Sequence, residues 1–174
     1  TLGTGVGGGM VLDGRLYGGA RGIAGELGHF PLERDGRPCT CGNRGCLEQY
    51  ASTTALVRLA CQATGEASLN GREIFARAAR KDPTMLRVLA AWTADVAAGV
   101  TGLVHVFNPE MVLIGGGVSA QEALFLSPLR ERVLAQVMPC FATGLRVERA
   151  ALGNDAGLVG AAKWWMDSME NRAT

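Results

Sequence analysis

One histidine and three cysteines fall within eighteen residues of this chain: His29, Cys39, Cys41 and Cys46, spaced H-x9-C-x-C-x4-C. The residues between them are polar or turn-forming, Arg37, Asn43 and Arg44 among them. Thiols in such a segment have no apolar core to join. A Cys3His set is a closed tetrahedral site for zinc, and a metal supplies the order that a loop of this composition cannot supply for itself. Four protein ligands leave no position open for water, so the expected metal is structural. Two carboxylates, Glu26 and Glu48, flank the cluster and exceed what such a site needs. Carboxylates accept charge-assisted hydrogen bonds from paired sugar hydroxyls, so Glu26, His29 and Glu48 form a candidate ligand site fixed by the metal loop.

The remaining composition sets limits. At 174 residues the chain is long enough for one domain with a core, or for one domain and part of another. Net charge is +1 with Lys and Arg scattered, which argues against a nucleic-acid surface. Charges or glycines interrupt every apolar run, so no membrane span is expected. Three of the five cysteines crowd beside a histidine, which reads as metal binding in a reducing cytoplasm rather than disulfide pairing. Cys61 and Cys140 are expected as buried apolar residues.

Residues 10–19 read as a hairpin turning at Asp13-Gly14. Residues 20–28 read as a loop or short helical turn, and 29–33 as an edge strand because of Pro31. A helix follows Leu47, with Ser52 as N-cap ahead of Ala55, Leu56, Leu59 and Ala60 on one face. A second helix is expected over 71–81. A long, deeply buried one spans 84–107 and stops at Asn108-Pro109. Met111 to Ile114 reads as a fully buried strand, Ser119 as the cap of a helix to Val137, and 145–147 as another strand. Asp155 opens a last helix. Strands alternating with helices predict an α/β domain with a largely parallel sheet. His105 is expected as a satisfied core histidine, and Trp164 and Trp165 as packing residues.

Two glycine-rich segments are candidate phosphate contacts. Gly3-Thr4-Gly5 begins a run continuing through Gly7-Gly8-Gly9, where backbone N–H groups free of Cβ crowding can approach an anion and Thr4 adds a hydroxyl. Gly115-Gly116-Gly117 follows a strand and precedes a helix, the place where open α/β sheets bind ligands. It is neither a G-x-G-x-x-G fingerprint nor a Walker loop, since no Lys-Ser or Lys-Thr pair follows. The first loop has no strand before it, from which the expectation is a fragment lacking an N-terminal part.

In this order the motifs resemble the ROK family of bacterial sugar kinases and sugar-responsive repressors. The resemblance covers essentially the whole chain. It rests on Glu26-Leu27-Gly28-His29, on Cys39-x-Cys41-Gly42-x-x-Gly45-Cys46-x-Glu48, and on the ending Asp155-Ala156-Gly157-Leu158-Val159-Gly160-Ala161-Ala162. The resemblance implies an α/β, actin-like ATPase (ribonuclease H-like) fold. Residues 1–157 would be its C-terminal large domain with a zinc loop at 29–46, and 158–174 a helix packing back on an absent small domain. It implies structural Zn2+ on His29, Cys39, Cys41 and Cys46, and sugar hydroxyls on Glu26, His29 and Glu48. It implies ATP with Mg2+ held in part by Gly3, Thr4, Gly5, Gly115, Gly116 and Gly117. The catalytic Asp would lie upstream of Thr1, leaving residues 1–174 inactive alone.

The expected parent is a hexose kinase acting on the 6-hydroxyl of glucose or a related sugar, glucokinase-like, with β-glucosides or N-acetyl amino sugars as alternatives. The second expectation is a sugar-responsive repressor, the one case in which nucleic acid would be a partner. Both glycine segments being intact favours the kinase. Family analogy suggests a homodimer.

Overall fold

The computed structural model describes residues 1–170. Asp13 and Gly14 carry φ of 51° and 74°, the geometry of a type I′ turn. They fold β1 (Val11–Leu12) onto β2 (Arg15–Leu16) in antiparallel register, Val11 opposite Leu16. The expected strand over 29–33 does not form. Pro31 has no N–H, and the N–H groups of Leu32 and Glu33 both go to the Gly45 carbonyl (2.7 and 3.2 Å), so pairing stops at a single bridge between Pro31 and Cys46.

Helix α1 is one turn, Glu48–Ala51, and α2 runs Thr53–Thr64. Between them Ser52 is extended, and its Oγ accepts from the Ala55 N–H at 3.1 Å, as the sequence predicts for a cap. Helix α3, Gly71–Ala79, stops two residues short of the expected 81 because Lys81 turns the chain at φ 63°. Asp82 caps α4, Pro83–Phe107, through the Thr84 and Met85 N–H groups (2.8 and 3.2 Å). Asn108 ends it at φ 45°.

Helix α4 is the spine of the molecule. By length and mean hydropathy it is long and apolar enough to cross a membrane, contrary to the sequence expectation, yet half of that stretch is buried within the protein. It packs against α1, α2 and α3, and Trp92 meets Phe125 with ring centroids 4.7 Å apart. Leu47 rests on the gap at Gly99, where a Cβ would lie 2.5 Å from a Leu47 methyl.

Strand β3 (Met111–Ile114) pairs in parallel with β4 (Arg146–Arg149), so the second half is α/β. β3 is not fully buried: Ile114 is, but Leu113 is 56% exposed, because among the described residues this sheet has only two strands to cover it. The expected helix over 119–137 is broken into three. A 3-10 turn (Gly117–Ala120) and a π-helical turn (Glu122–Leu126) precede α5, Ser127–Gln136. Ser119 is therefore not its cap; it lies inside the first turn and its hydroxyl donates to the Gly116 carbonyl at 2.8 Å. Gln121, at φ −86° and ψ 73°, breaks the ladder.

Helix α6 (Pro139–Ala142) is a further single turn with no buried position, so Cys140 is exposed rather than buried, while Cys61 is half-buried. His105 is satisfied but not in the core: it sits at the surface, its Nε2 accepting from the Met138 N–H at 3.2 Å and its ring edge-on to Phe141. Asp155 ends a 3-10 turn, and α7 runs Ala156–Glu170, so the boundary expected at 157/158 falls inside a helix, and residues 171–174 of that segment lie outside the described residues. Leu158, Trp164 and Trp165 are exposed on α7, the two tryptophans by 60%, so neither is buried in the core of the described residues.

Candidate functional site

Three short segments meet at the end of β3. The opening loop closes on itself, the Gly7 N–H donating to the Thr1 carbonyl at 3.1 Å, and Leu2 and Val6 form a bridge. The Leu2 N–H donates to the Gly115 carbonyl at 2.9 Å, which joins this loop to the second glycine segment. Gly116 allows the contact: its φ is 93°, and a Cβ there would stand 2.1 Å from the Leu2 carbonyl oxygen. The loop is also tied to α2. The Thr53 N–H and hydroxyl donate to the Gly3 carbonyl (2.8 and 2.6 Å), and the Thr54 hydroxyl to that of Thr4 (2.7 Å). Sequence reasoning missed these two threonines. Their signal was their place just after the Ser52 cap, where a helix start offers hydroxyls to a neighbouring loop.

Glu48, the first residue of α1, reaches the same loop. Its Oε2 accepts from the Val6 N–H at 3.0 Å, and Gly5 leaves room for it, since a Cβ there would be 2.4 Å from that oxygen. Glu26 and His29 come from the turn at Leu27–His29, with Glu26 Oε2 3.8 Å from His29 Nε2. Gly3, Gly5, Glu26, His29, Glu48 and Gly116 thus line one open groove of about 390 Å³. Thr4, Gly115 and Gly117 adjoin that lining through the chain without forming it.

The expected metal ligands also converge. Donor atoms of His29, Cys39, Cys41 and Cys46 all lie within 4.8 Å of one another. Cys39 Sγ is 3.6 Å from His29 Nδ1, and Cys41 Sγ is 3.6 Å from Cys46 Sγ. Tetrahedral Zn–S bonds of ~2.3 Å place two sulfurs about 3.8 Å apart, so the set fits a single tetrahedral ion. His29 turns Nδ1 to the thiols and Nε2 to the groove, so one ring belongs to both. The loop is shaped for this by its backbone. Cys39 N–H donates to the Asn43 carbonyl (2.9 Å) and Gly45 N–H to that of Arg37 (2.7 Å). Gly45, at φ 73°, admits no side chain, since a Cβ would lie 1.7 Å from the Glu33 carbonyl oxygen.

Charge at the cluster is divided unevenly. The Cys39 thiol is lowered from its ordinary 9.0 to about 6, chiefly by a hydrogen bond from the Cys41 backbone, with help from neighbouring side chains. The Cys46 thiol is pushed up to about 12 by burial and then by the other two thiols. Three thiols this close do not all ionise unless a cation stands between them.

The sequence matches the profile of the ROK family over residues 1–168. It is 39% identical to the glucokinase of Thermotoga maritima, covering 93% of this chain and 55% of that protein. It is 30% identical to the xylose repressor of Bacillus subtilis, over 92% of this chain and 41% of the repressor. Among solved structures it is similar to a ROK family glucokinase from Streptomyces griseus in complex with glucose and AMPPNP, with a TM-score of 0.82 and 36% identity over 94% of this chain and 58% of that one. Its α/β fold is that of the ROK sugar kinases. The chain spans little more than half the length of the glucokinases it matches. With a family profile running from the opening loop into α7, and with homologous proteins of known structure sharing its fold, the chain belongs to the ROK family.

Proposed function

We propose that these residues are the greater part of an ATP-dependent, glucokinase-like sugar kinase that phosphorylates the 6-hydroxyl of glucose or a related hexose. The observation that carries this reading is the shared groove: two glycine segments and the side chains of Glu26, His29 and Glu48 open on the same space. Glu26 and Glu48 accept hydrogen bonds from sugar hydroxyls and orient the ring. His29 Nε2 offers a further polar contact to the sugar. The Leu2, Gly3, Val6 and Gly7 N–H groups already have acceptors, so within residues 1–7 the amides of Thr4 and Gly5 are those left to offer a phosphate. Gly116, pressed to Leu2, sets where the second segment stands. ATP with Mg2+ supplies the phosphoryl group and the charge neutralisation that transfer needs.

Structural Zn2+ on His29, Cys39, Cys41 and Cys46 would hold His29 and the start of α1 at one distance from the groove. In this reading the base that takes the sugar proton lies on an N-terminal small domain outside residues 1–174, in an actin-like arrangement, and α7 packs against that domain through Leu158, Ala161, Ala162 and Trp165. Residues 1–174 alone then bind sugar without turning it over. The protein works in the cytoplasm as a homodimer.

A coupled assay for ADP release on the full-length protein tests this, with a panel of hexoses, N-acetyl amino sugars and β-glucosides. Turnover with glucose supports the reading, and turnover with another sugar alone renames the substrate. Sugar binding without turnover moves the function to a sugar-responsive repressor. That second reading is favoured by the similarity to the xylose repressor, and opposed by the presence of both glycine segments.

A further inference from the structure

We propose that Gln49 is a positioning residue of the metal centre, its side-chain amide holding the Cys39 sulfur, and that Arg58 fixes Gln49 in turn. The inference rests on the reading that the four ligands hold a divalent metal. Gln49 Nε2 lies 3.7 Å from Cys39 Sγ, within range of an N–H···S hydrogen bond. Gln49 is half-buried on α1, a helix of one turn whose successive residues reach different parts of the site. Glu48 accepts from the opening loop. Gln49 reaches a ligand. Tyr50 Oη accepts from the Arg37 N–H at 2.8 Å and so holds the metal loop's backbone.

A single turn cannot hold these directions by its own hydrogen bonds. Arg58, from α2, donates through a terminal guanidinium nitrogen to the Gln49 carbonyl. The Arg58 Nε is buried and has no acceptor among the described residues. A guanidinium that leaves a donor unmet is kept where it is by the contact it does make. Arg58 also stands close enough to Arg37, on the metal loop, to feel its charge, so the clamp sits beside the loop it steadies.

The chemistry explains why an amide suits the place. Three thiolates and one imidazole around a dication carry one excess negative charge. A neutral N–H donor to one sulfur offsets part of that charge without competing for the metal. It lowers the sulfur's basicity, which protects the bond from protons. Partners of this kind change metal affinity by ~10–100-fold. A carboxylate in the same position would turn an acceptor towards the sulfur.

The test loads the full-length protein with Co2+, whose thiolate-to-metal charge-transfer band reports sulfur donation, and measures affinity by competition with a chromophoric chelator. Gln49→Met keeps the length of the side chain and removes the donor. It is expected to weaken Co2+ binding by about 10-fold or more and to shift the band, with helix content unchanged. Gln49→Glu should weaken it further, and Arg58→Met should reproduce the Gln49→Met shift in weaker form. A band and an affinity equal to wild type in both Gln49 variants overturn the proposal. A wild-type protein that gives no charge-transfer band overturns the metal reading itself, and the two failures are told apart by that control.

Discussion

Residues 1–46 and residues 83–137 reach order by opposite means. In the second stretch Trp92, Phe125, Leu126, Leu129 and Val133 are all fully buried, and α4 packs against α5. In the first, the buried apolar residues are Leu2, Cys39 and Cys46, and two of those three belong to the candidate ligand set. Burial at ~25 cal/mol per Å² cannot hold such a segment against its own chain entropy. It is held instead by backbone hydrogen bonds, by glycines that permit close approach, and by whatever joins the four ligands. Most of the groove's lining belongs to this first stretch, with Glu48 and Gly116 the exceptions, and its rigidity is borrowed. Leu47 on Gly99 and the Trp92 Nε1–H donating to the Ser52 carbonyl (3.1 Å) are the places where the core lends it.

The largest effect should come from the metal ligands. Cys46→Ser, or exhaustive chelation, removes a binding free energy that in small zinc peptides is ~10–16 kcal/mol. Metal content should fall to background, any turnover by the full-length protein in the ADP-release assay should be lost, and amide-exchange protection around 30–47 should drop by about 100-fold or more. Protection along α4 should stay. Equal loss of protection in α4 would break the comparison, because the two stretches would then be one cooperative unit.

Next is the core. Trp92→Ala should cost about 3–5 kcal/mol and lower Tm by roughly 10 °C. The folded fraction should still carry its metal. Trp92→Phe separates packing from the hydrogen bond to Ser52: a loss of about 1 kcal/mol is expected, with the change in exchange confined to the junction of α1 and α2. Smaller again is Gly116→Ala. The backbone strain at φ 93° is on the order of 1–3 kcal/mol, but the clash with the Leu2 carbonyl must push the opening loop off β3. The KM for nucleotide should rise several-fold while that for sugar changes little. Equal rises in both would show that the two ends of the groove move together.

The residues that converge at the candidate site are more legible in the sequence than the fold around them. His29, Cys39, Cys41 and Cys46 could be grouped as a candidate ligand set because metal spacing is local, and their donor atoms do converge. Glu26 and Glu48 came with them. The hairpin at Asp13-Gly14 and the caps at Ser52 and Asp82 are local too, and the structure has the hairpin and a Ser52 cap as the sequence predicts. What was not legible depends on partners distant in sequence. Thr53 and Thr54 act on carbonyls some fifty residues away. Leu113 reads as buried because its neighbours are apolar, but exposure depends on how many strands flank it. The break at Gln121 is a backbone choice that no apolar period records. The π-turn before Pro128 is likewise invisible to a pattern of side chains. Cys140 reads as apolar by residue type alone, and α6 gives it no face to bury.

The smallest expected effect is a pH dependence confined to the site half of the metal-free protein. Cys39 titrates near 6 when folded against 9.0 ordinarily, so folding favours its thiolate. That contribution is complete above pH 9 and is lost as pH falls through 6. Cys46 runs the other way. Its folded value is about 12, so folding favours its neutral thiol, a contribution that is complete below pH 9 and lost as pH rises towards 12. The two together predict that exchange protection around 39–46, corrected for intrinsic exchange rates, peaks near pH 9 and declines on both sides. The buried stripe of α4, from Met85 through Trp92 to Val104, contains no titrating side chain, and the half-buried Asp95 beside it, raised by burial, contributes only at acid pH, so protection along α4 should not peak near pH 9. With metal bound, the high-pH decline should vanish because Cys46 is then a thiolate, and the low-pH decline should become metal release as protons compete for sulfur. A loop whose protection rises monotonically with pH in the metal-free protein would mean that the three thiols do not share their charge as their geometry demands. An α4 that followed the loop would mean that the core's independence is apparent only.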